Sequence, residues 1–382
     1  MTTPLRIGLD ARELLGEVTG VGRYLGELLR RWIARPDRAS RQFILYSPRP
    51  LEMDLPPGHS EARVIPGGTG TWWEQTALRR AVRTDRPAVF FAPAYTAPLG
   101  LGIPFAVTIH DVSFMAHPEW FRPRERWRRR FLARRMAASA SVIFTDSEFS
   151  RNEIALRLSV EDSRLVVIPP GAPSTRARLG SLRAGPSTRT RTASFMSDAP
   201  STREPLVLYV GTLLNRRNLP ELIAAFAKGT DTLPDARLII VGADRTWPPQ
   251  DLTHTARAYG VDARVELQPY LSYEALQQLY SRASVFVFLS EYEGFGLTPL
   301  EALTAGTPII VLDTPIAREV YGDAAEYVGI GDITATADAI RRFLDSPGAA
   351  RDQLSRAPAV LARYSWDRAA DATLQQIERI AR

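Results

Sequence analysis

The sequence predicts an α/β protein built as two similar halves, each a parallel sheet wrapped by helices. Three observations carry that expectation. Short apolar runs alternate with segments of helical period through the first half of the chain, and the same alternation restarts near residue 206. Between the halves lies a Ser/Thr/Arg/Pro/Gly mixture without periodicity, too polar to bury a core of its own.

The first half reads as strands at 5–9, 43–46, 89–91, 105–109, 141–145 and 165–168. Val21, Tyr24, Leu25, Leu28, Leu29, Trp32 and Ile33 mark one face of a helix that follows the first strand. The second half gives strands at 206–210, 237–241, 264–267, 284–289 and 309–312, with helices between them. A last helix, about 366–380, starts behind Ser365 as N-cap. The expected organisation is a first domain over 1–170, a linker insertion at 171–205, a second domain over 206–365 and the terminal helix at 366–382. Two such halves imply a cleft between Rossmann-like domains.

Composition narrows the function classes. With 382 residues and 45% hydrophobic content, the chain can bury two substantial cores. Cysteine is absent, which excludes disulfides, thiolate metal sites and cysteine nucleophiles and is compatible with a reducing cytosol. The opening MTTPLRIGLD runs directly into a strand, so no secretory signal is expected, and no apolar stretch is long enough to span a bilayer. A net charge of +6, dominated by arginine, points to phosphates without choosing among nucleotide, lipid headgroup and nucleic acid.

The most informative segment is Glu293-Gly294-Phe295-Gly296-Leu297-Thr298-Pro299-Leu300-Glu301. It joins a buried strand to a helix ending at Gly306, so it sits at the carboxyl end of a strand in an open α/β sheet. Ligands bind there, and a helix start offers N–H groups and a positive dipole end to an anion. Thr298 to Glu301 also reads as a capping box with Pro299 at the first helical position, in which Glu301 only satisfies backbone donors. Glu293 has no such role; a ligand hydroxyl is its more economical partner.

Other segments cluster around the same chemistry. Arg216 and Arg217 lie before Asn218 at a strand-to-helix turn, where paired guanidinium groups suit a pyrophosphate; exposed loop arginines are the competing account. Gly20-Val21-Gly22-Arg23-Tyr24 opens the first helix but fails the dinucleotide fingerprint, since the next glycine is Gly26 instead of position 25. A structural turn would also explain Gly20 and Gly22. His110 and Asp111 end a strand at the lip of the cleft, where a histidine serves as a hydrogen-bonding partner or as a participant in chemistry. No D-x-D triplet, H-E-x-x-H, nucleophile elbow or Walker loop occurs, so metal ligands are not expected. Residues 120–135 interleave eight arginines with aromatic residues, Arg128, Arg129 and Arg130 lying between Trp127 and Phe131. A solvated helix face, an interfacial helix on anionic lipid and a nucleic-acid surface all fit, the last least well.

Taken together, the Glu293–Glu301 loop, the YVGTLLNRRNL segment, GVGRY and TIHDVSF resemble retaining GT-B glycosyltransferases of the group 1 (family 4) type, over most of the chain except the insertion. The resemblance implies a GT-B fold, two Rossmann-like domains with parallel sheets facing across a cleft, and a terminal helix that crosses back to the first domain. It implies transfer of a hexose from a GDP- or UDP-linked sugar to a hydroxyl acceptor, with no separate cofactor, in polysaccharide or glycolipid assembly of mannosyl or rhamnosyl type. By the same resemblance Glu301 holds ribose hydroxyls, Glu293 and His110 contact the sugar, and Arg216 and Arg217 with Gly294, Phe295, Gly296, Leu297 and Thr298 hold the diphosphate. The chain departs from the family in carrying Thr212 after Gly211, where arginine is frequent, and Arg217 where lysine is frequent. Expected partners are the nucleotide-sugar donor and a hydroxyl acceptor, lipid-linked or free, with an anionic membrane surface as a candidate third and no nucleic acid; the expected place is the cytoplasm, either free or on the inner face of the membrane. The rivals are a GT-B epimerase or silent relative and a basic nucleic-acid-binding protein.

Overall fold

The computed structural model describes residues 4–16, 20–53, 55, 58–172 and 203–382. Most of the expected 171–205 insertion therefore lies outside the described residues. Seven strands form the first sheet: β1 Leu5–Asp10, β2 Arg41–Ser47, β3 Ser60–Val64, β4 Val89–Ala92, β5 Phe105–Thr108, β6 Val142–Thr145 and β7 Leu165–Val167. Six form the second: β8 Glu204–Val210, β9 Arg237–Val241, β10 Val265–Gln268, β11 Ala283–Phe288, β12 Ile309–Leu312 and β13 Glu326–Val328.

Every strand pair in both sheets is parallel, so each connection must cross over through other structure. The orders are β3-β2-β1-β4-β5-β6-β7 and β10-β9-β8-β11-β12-β13. Each order reverses direction once, between β1 and β4 in the first sheet and between β8 and β11 in the second. Those reversals leave a crevice at the carboxyl ends of the two strands, which is where open α/β sheets hold ligands.

The central strands are apolar throughout because helices cover both faces; all six residues of β11 are buried. Two strands escaped the sequence reading. β3 is an edge strand, mostly exposed, with the sequence SEARV, and β13 has only three residues, so neither carries an apolar run.

The terminal helix, Trp366–Ile380, belongs physically to the first half. Its buried face, including Trp366, Ala370, Leu374 and Ile377, shares one core with Trp32, Leu28, Phe43 and Phe91. The Trp32 indole N–H donates to the Ala370 carbonyl at 2.8 Å, which removes the cost of burying that donor. Arg41 pairs with Glu378 at the far end of the helix. Gly171 is required where the chain passes under the helix start, because a Cβ there would lie 2.2 Å from the Trp366 amide nitrogen. The helix thus returns from the second half and fixes the two halves' connection at both of its ends.

Candidate functional site

The two strands at the reversal of the second sheet each deliver one of the predicted segments. β8 leads to Gly211 and the turn Asn215–Arg217; β11 leads to Ser290 and the loop at 291–296. Asn218 ends the turn in the left-handed region at φ 49°. Its side-chain amide donates to the Leu289 carbonyl at 3.2 Å and to Glu291 Oε1 at 2.9 Å, so the turn is tied to the end of β11.

Arg216, Arg217 and Glu293 converge. Arg217 donates from Nε to Glu293 Oε1 at 3.1 Å, Ser290 Oγ donates to the same oxygen at 2.7 Å, and an Arg216 nitrogen lies 3.8 Å from it. Arg217 also donates to the Tyr209 hydroxyl at 3.1 Å and the Thr212 carbonyl at 2.9 Å, with its guanidinium over the Phe288 ring. Gly211 makes room for it: a Cβ there would stand 2.2 Å from an Arg217 nitrogen. Burial alone would depress the Arg217 pKa, but Glu293 and Tyr209 outweigh it and the guanidinium is held firmly charged. Neither arginine is an exposed loop cation, and Glu293 already has charged partners inside the protein.

The loop closes with two glycines for different reasons. Gly294 faces the first half, where a Cβ would lie 2.0 Å from the His110 carbonyl oxygen. Gly296 has φ 89° and is the N-cap of the helix Leu297–Thr304, with no side chain capping that helix start. Phe295 is buried edge-on against Tyr364. The helix begins at Leu297, two residues before the expected start, so Thr298 lies inside it and the capping box does not form. Glu301 instead accepts from the Tyr280 hydroxyl at 2.8 Å and pairs with Arg23 of the first half.

His110 lies across the crevice, after β5. Its Nδ1 is 2.7 Å from Asp146 Oδ2 and its Nε2 is 2.9 Å from the Pro93 carbonyl oxygen. Both partners only accept, so both are satisfied only by the doubly protonated ring. Burial disfavours that charge, but Asp146 prevails, helped by the Pro93 bond and Asp111, and the imidazole pKa rises above its ordinary value. Asp111 accepts from Ser113 and from the Tyr95 hydroxyl. Burial would raise its carboxyl, whereas Arg216 and these bonds hold it below the usual range.

Gly20 and Gly22 lie in the first turn of the helix Gly20–Ala34, not in a separate loop. Ser147 Oγ donates to the Gly294 carbonyl at 2.7 Å, and Glu319 accepts from the Glu148 and Phe149 amides, so the start of the helix Glu148–Leu158 ties the first half to the second beside the site. Sequence reasoning missed Arg23, Ser290, Tyr209, Tyr280 and Asp146. Arg23 and Tyr209 stood inside segments singled out for other residues; Ser290, Tyr280 and Asp146 carry no local signal. It also missed Arg12, which pairs with Asp10 and Glu74 at the end of β1; burial, with Glu74 beside it and Arg12 opposing, pushes the Asp10 carboxyl up to about 6.

The basic helix is Pro123–Ser139, and its Arg129 lies near enough to Tyr95 to oppose the upward shift that burial gives that hydroxyl. Its buried side is confined to Leu132, Ala133, Met136 and Ala137. Trp127 is 70% exposed and stacks on exposed Phe131 with ring centroids 5.6 Å apart. Arg129 pairs with Glu125, while Arg128 donates to the Thr71 hydroxyl next to Trp72, itself 83% exposed.

Against families of known proteins, residues 18–176 match the model described as Glycosyltransferase Family 4 and residues 191–359 match Glycosyl transferases group 1. The second half therefore belongs to the group 1 glycosyltransferases and the first half to family 4. The enzyme is 26% identical to the O-antigen chain mannosyltransferase B of Escherichia coli over 301 residues, 77% of this chain and 75% of that protein. In fold, this glycosyltransferase matches WaaG, a glycosyltransferase involved in lipopolysaccharide biosynthesis, with a TM-score of 0.73 at 15% identity over 97% of this chain and 99% of that one. HepE of Anabaena, solved with UDP and glucose, gives a TM-score of 0.71 at 16% identity, covering 98% and 99%. The fold is GT-B, and the activity is glycosyl transfer in glycan assembly.

The His110–Asp146 pair makes the transferase's stability depend on pH with a fixed sign. A raised histidine pKa contributes stability that is fully present below the ordinary value of 6.5 and is lost as pH rises through the folded value. The stability gap between wild type and Asp146→Asn should therefore be widest below the ordinary value of 6.5 and narrow as pH rises through the folded value above it. Denaturant unfolding across that range checks it; a gap independent of pH contradicts the charged pair.

Proposed function

We propose that this glycosyltransferase takes a hexose from a GDP- or UDP-linked donor held mainly by the second half and delivers it, with retention and without a metal, to a hydroxyl acceptor. The observation that carries the reading is the meeting of Arg216, Arg217 and Glu293 beside an uncapped helix start, at the reversal of the second sheet. The UDP and glucose bound to HepE, a protein of the same fold, agree with such a donor.

Leaving-group departure needs help, because charge grows on the β-phosphate as the glycosidic bond breaks. Fixed arginines and backbone N–H groups aimed at that charge stabilise it without having to reorganise. Arg217 is suited to this: held by Tyr209, Thr212 and Glu293, it loses little freedom when a phosphate arrives. Glu293 sits beside it to accept hydroxyls of the hexose, Glu301 accepts those of the ribose, and His110 reaches the sugar by exchanging the Pro93 carbonyl for a sugar hydroxyl at Nε2. Among these residues no side chain is placed as a nucleophile, which favours attack by the acceptor on the face the leaving group vacates.

The missing D-x-D agrees with neutralisation by arginine in place of a metal. Arg217→Ala should lower kcat on the order of a hundredfold or more while raising the donor KM less, since the charge it meets is larger in the transition state. Initial rates with and without EDTA, and the anomeric configuration of the product by proton NMR, test the proposal together. An unchanged kcat, wild-type activity abolished by EDTA, or an inverted product would each overturn the part it addresses.

The acceptor side carries a separate feature, the exposed Trp127–Phe131 stack among arginines. It fits an interfacial anchor on anionic lipid, which would bring the enzyme to a lipid-linked acceptor on the inner face of the membrane. Among the described residues, no helix is long and apolar enough to cross a membrane. Replacing Arg128, Arg129 and Arg130 with Gln should weaken binding to phosphatidylserine vesicles at low salt by about 1 kcal/mol per cation lost, and less for Arg129, whose charge Glu125 already meets. Equal co-sedimentation of the wild type and the variant would remove the membrane surface from the account.

A further inference from the structure

Glu301 is buried, and its two oxygens are held from different halves of the molecule. Tyr280, on the helix Tyr273–Arg282, donates its hydroxyl to Oε2 at 2.8 Å. Oε1 pairs with the guanidinium of Arg23, which reaches over from the first turn of the helix Gly20–Ala34 and lies above the Tyr273 ring, 5.7 Å from its centroid. With Arg23 on Oε1 and Tyr280 on Oε2, a ribose that engages Glu301 through both of its hydroxyls competes with Arg23 for the carboxylate. Displacing Arg23 without giving it a new partner would leave a cation half-enclosed in the crevice, which is costly.

The geometry offers that partner. Glu301 lies four residues into the helix that starts at Leu297, so the uncapped helix start proposed for the diphosphate is about 6 Å away along the axis, at 1.5 Å per residue. The planar fork that fits a carboxylate also fits a phosphate.

We propose that Arg23 is a donor-clamping residue that changes partners when the donor binds: the ribose hydroxyls take Glu301, and the guanidinium passes to the diphosphate. The first half then meets the leaving group directly, and closure of the crevice is coupled to the presence of phosphate. This inference rests on the donor-site reading above. It assigns Arg23 effects of opposite sign on two ligands, since the arginine competes with a ribose and supports a diphosphate.

The test is calorimetric titration of the full-length wild type, Arg23→Gln and Arg23→Lys with uridine, guanosine, UDP and GDP. In Arg23→Gln, affinity for the nucleoside should rise and affinity for the matching diphosphate should fall, each on the order of tenfold. Arg23→Lys, which keeps the charge, should restore diphosphate binding, and donor kinetics should show Arg23→Gln losing kcat. Nucleoside and diphosphate affinities that move together, or that do not move, overturn the exchange of partners. A wild type that binds none of the four ligands overturns the donor-site reading, and this inference with it.

Discussion

A carboxylate shared between two strand ends organises the site. Glu293 follows β11, Arg217 follows β8, and their contact at 3.1 Å joins the two loops that the second sheet opens at its reversal. Buried charges persist only when paired and hydrogen-bonded, and each of these has several partners. Ser290 fixes the carboxylate, Tyr209 and Thr212 fix the guanidinium, and Gly211 leaves the space in which it sits. In the proposed donor site Arg216, Arg217 and Glu293 would therefore hold their charges in one orientation, as electrostatic catalysis requires.

That arrangement also depends on the first half. The Gly294 carbonyl accepts from Ser147 and Ser150, and no side chain larger than hydrogen fits at Gly294 against the His110 backbone. The terminal helix returns to the first core and holds the halves in reach of one another through Trp32, Trp366 and Arg41. Packing far from the crevice thus fixes how closely the His110 backbone approaches the loop at 291–296.

The fold was largely legible because buried parallel strands announce themselves as short apolar runs, and β8, β9, β11 and β12 all do so. β3 and β13 did not, being an exposed edge strand and a three-residue strand. Within the site, Glu293, Arg216 and Arg217 could be named from the sequence, but not their mutual contact. That contact joins positions 76 residues apart, and strand order, which decides it, is a tertiary fact. The capping-box reading of Glu301 failed for a local reason. Gly296 adopts a left-handed φ and starts the helix early, which puts Thr298 inside it and frees Glu301 for Tyr280 and Arg23. His110 was read as a group facing the sugar, but its ring partners, Asp146, 36 residues on, and the Pro93 carbonyl, were not legible in the sequence.

The central claim is that the loops after β8 and β11 are the donor site. Hydrogen exchange of the full chain, with and without a nucleoside diphosphate sugar that it turns over, tests this directly. A ligand bound there should slow exchange at residues 211–218 and 290–304, since binding raises the free energy of local opening where contacts form. Slowed exchange confined to the first half, with those two segments unchanged while turnover proceeds, would contradict the account.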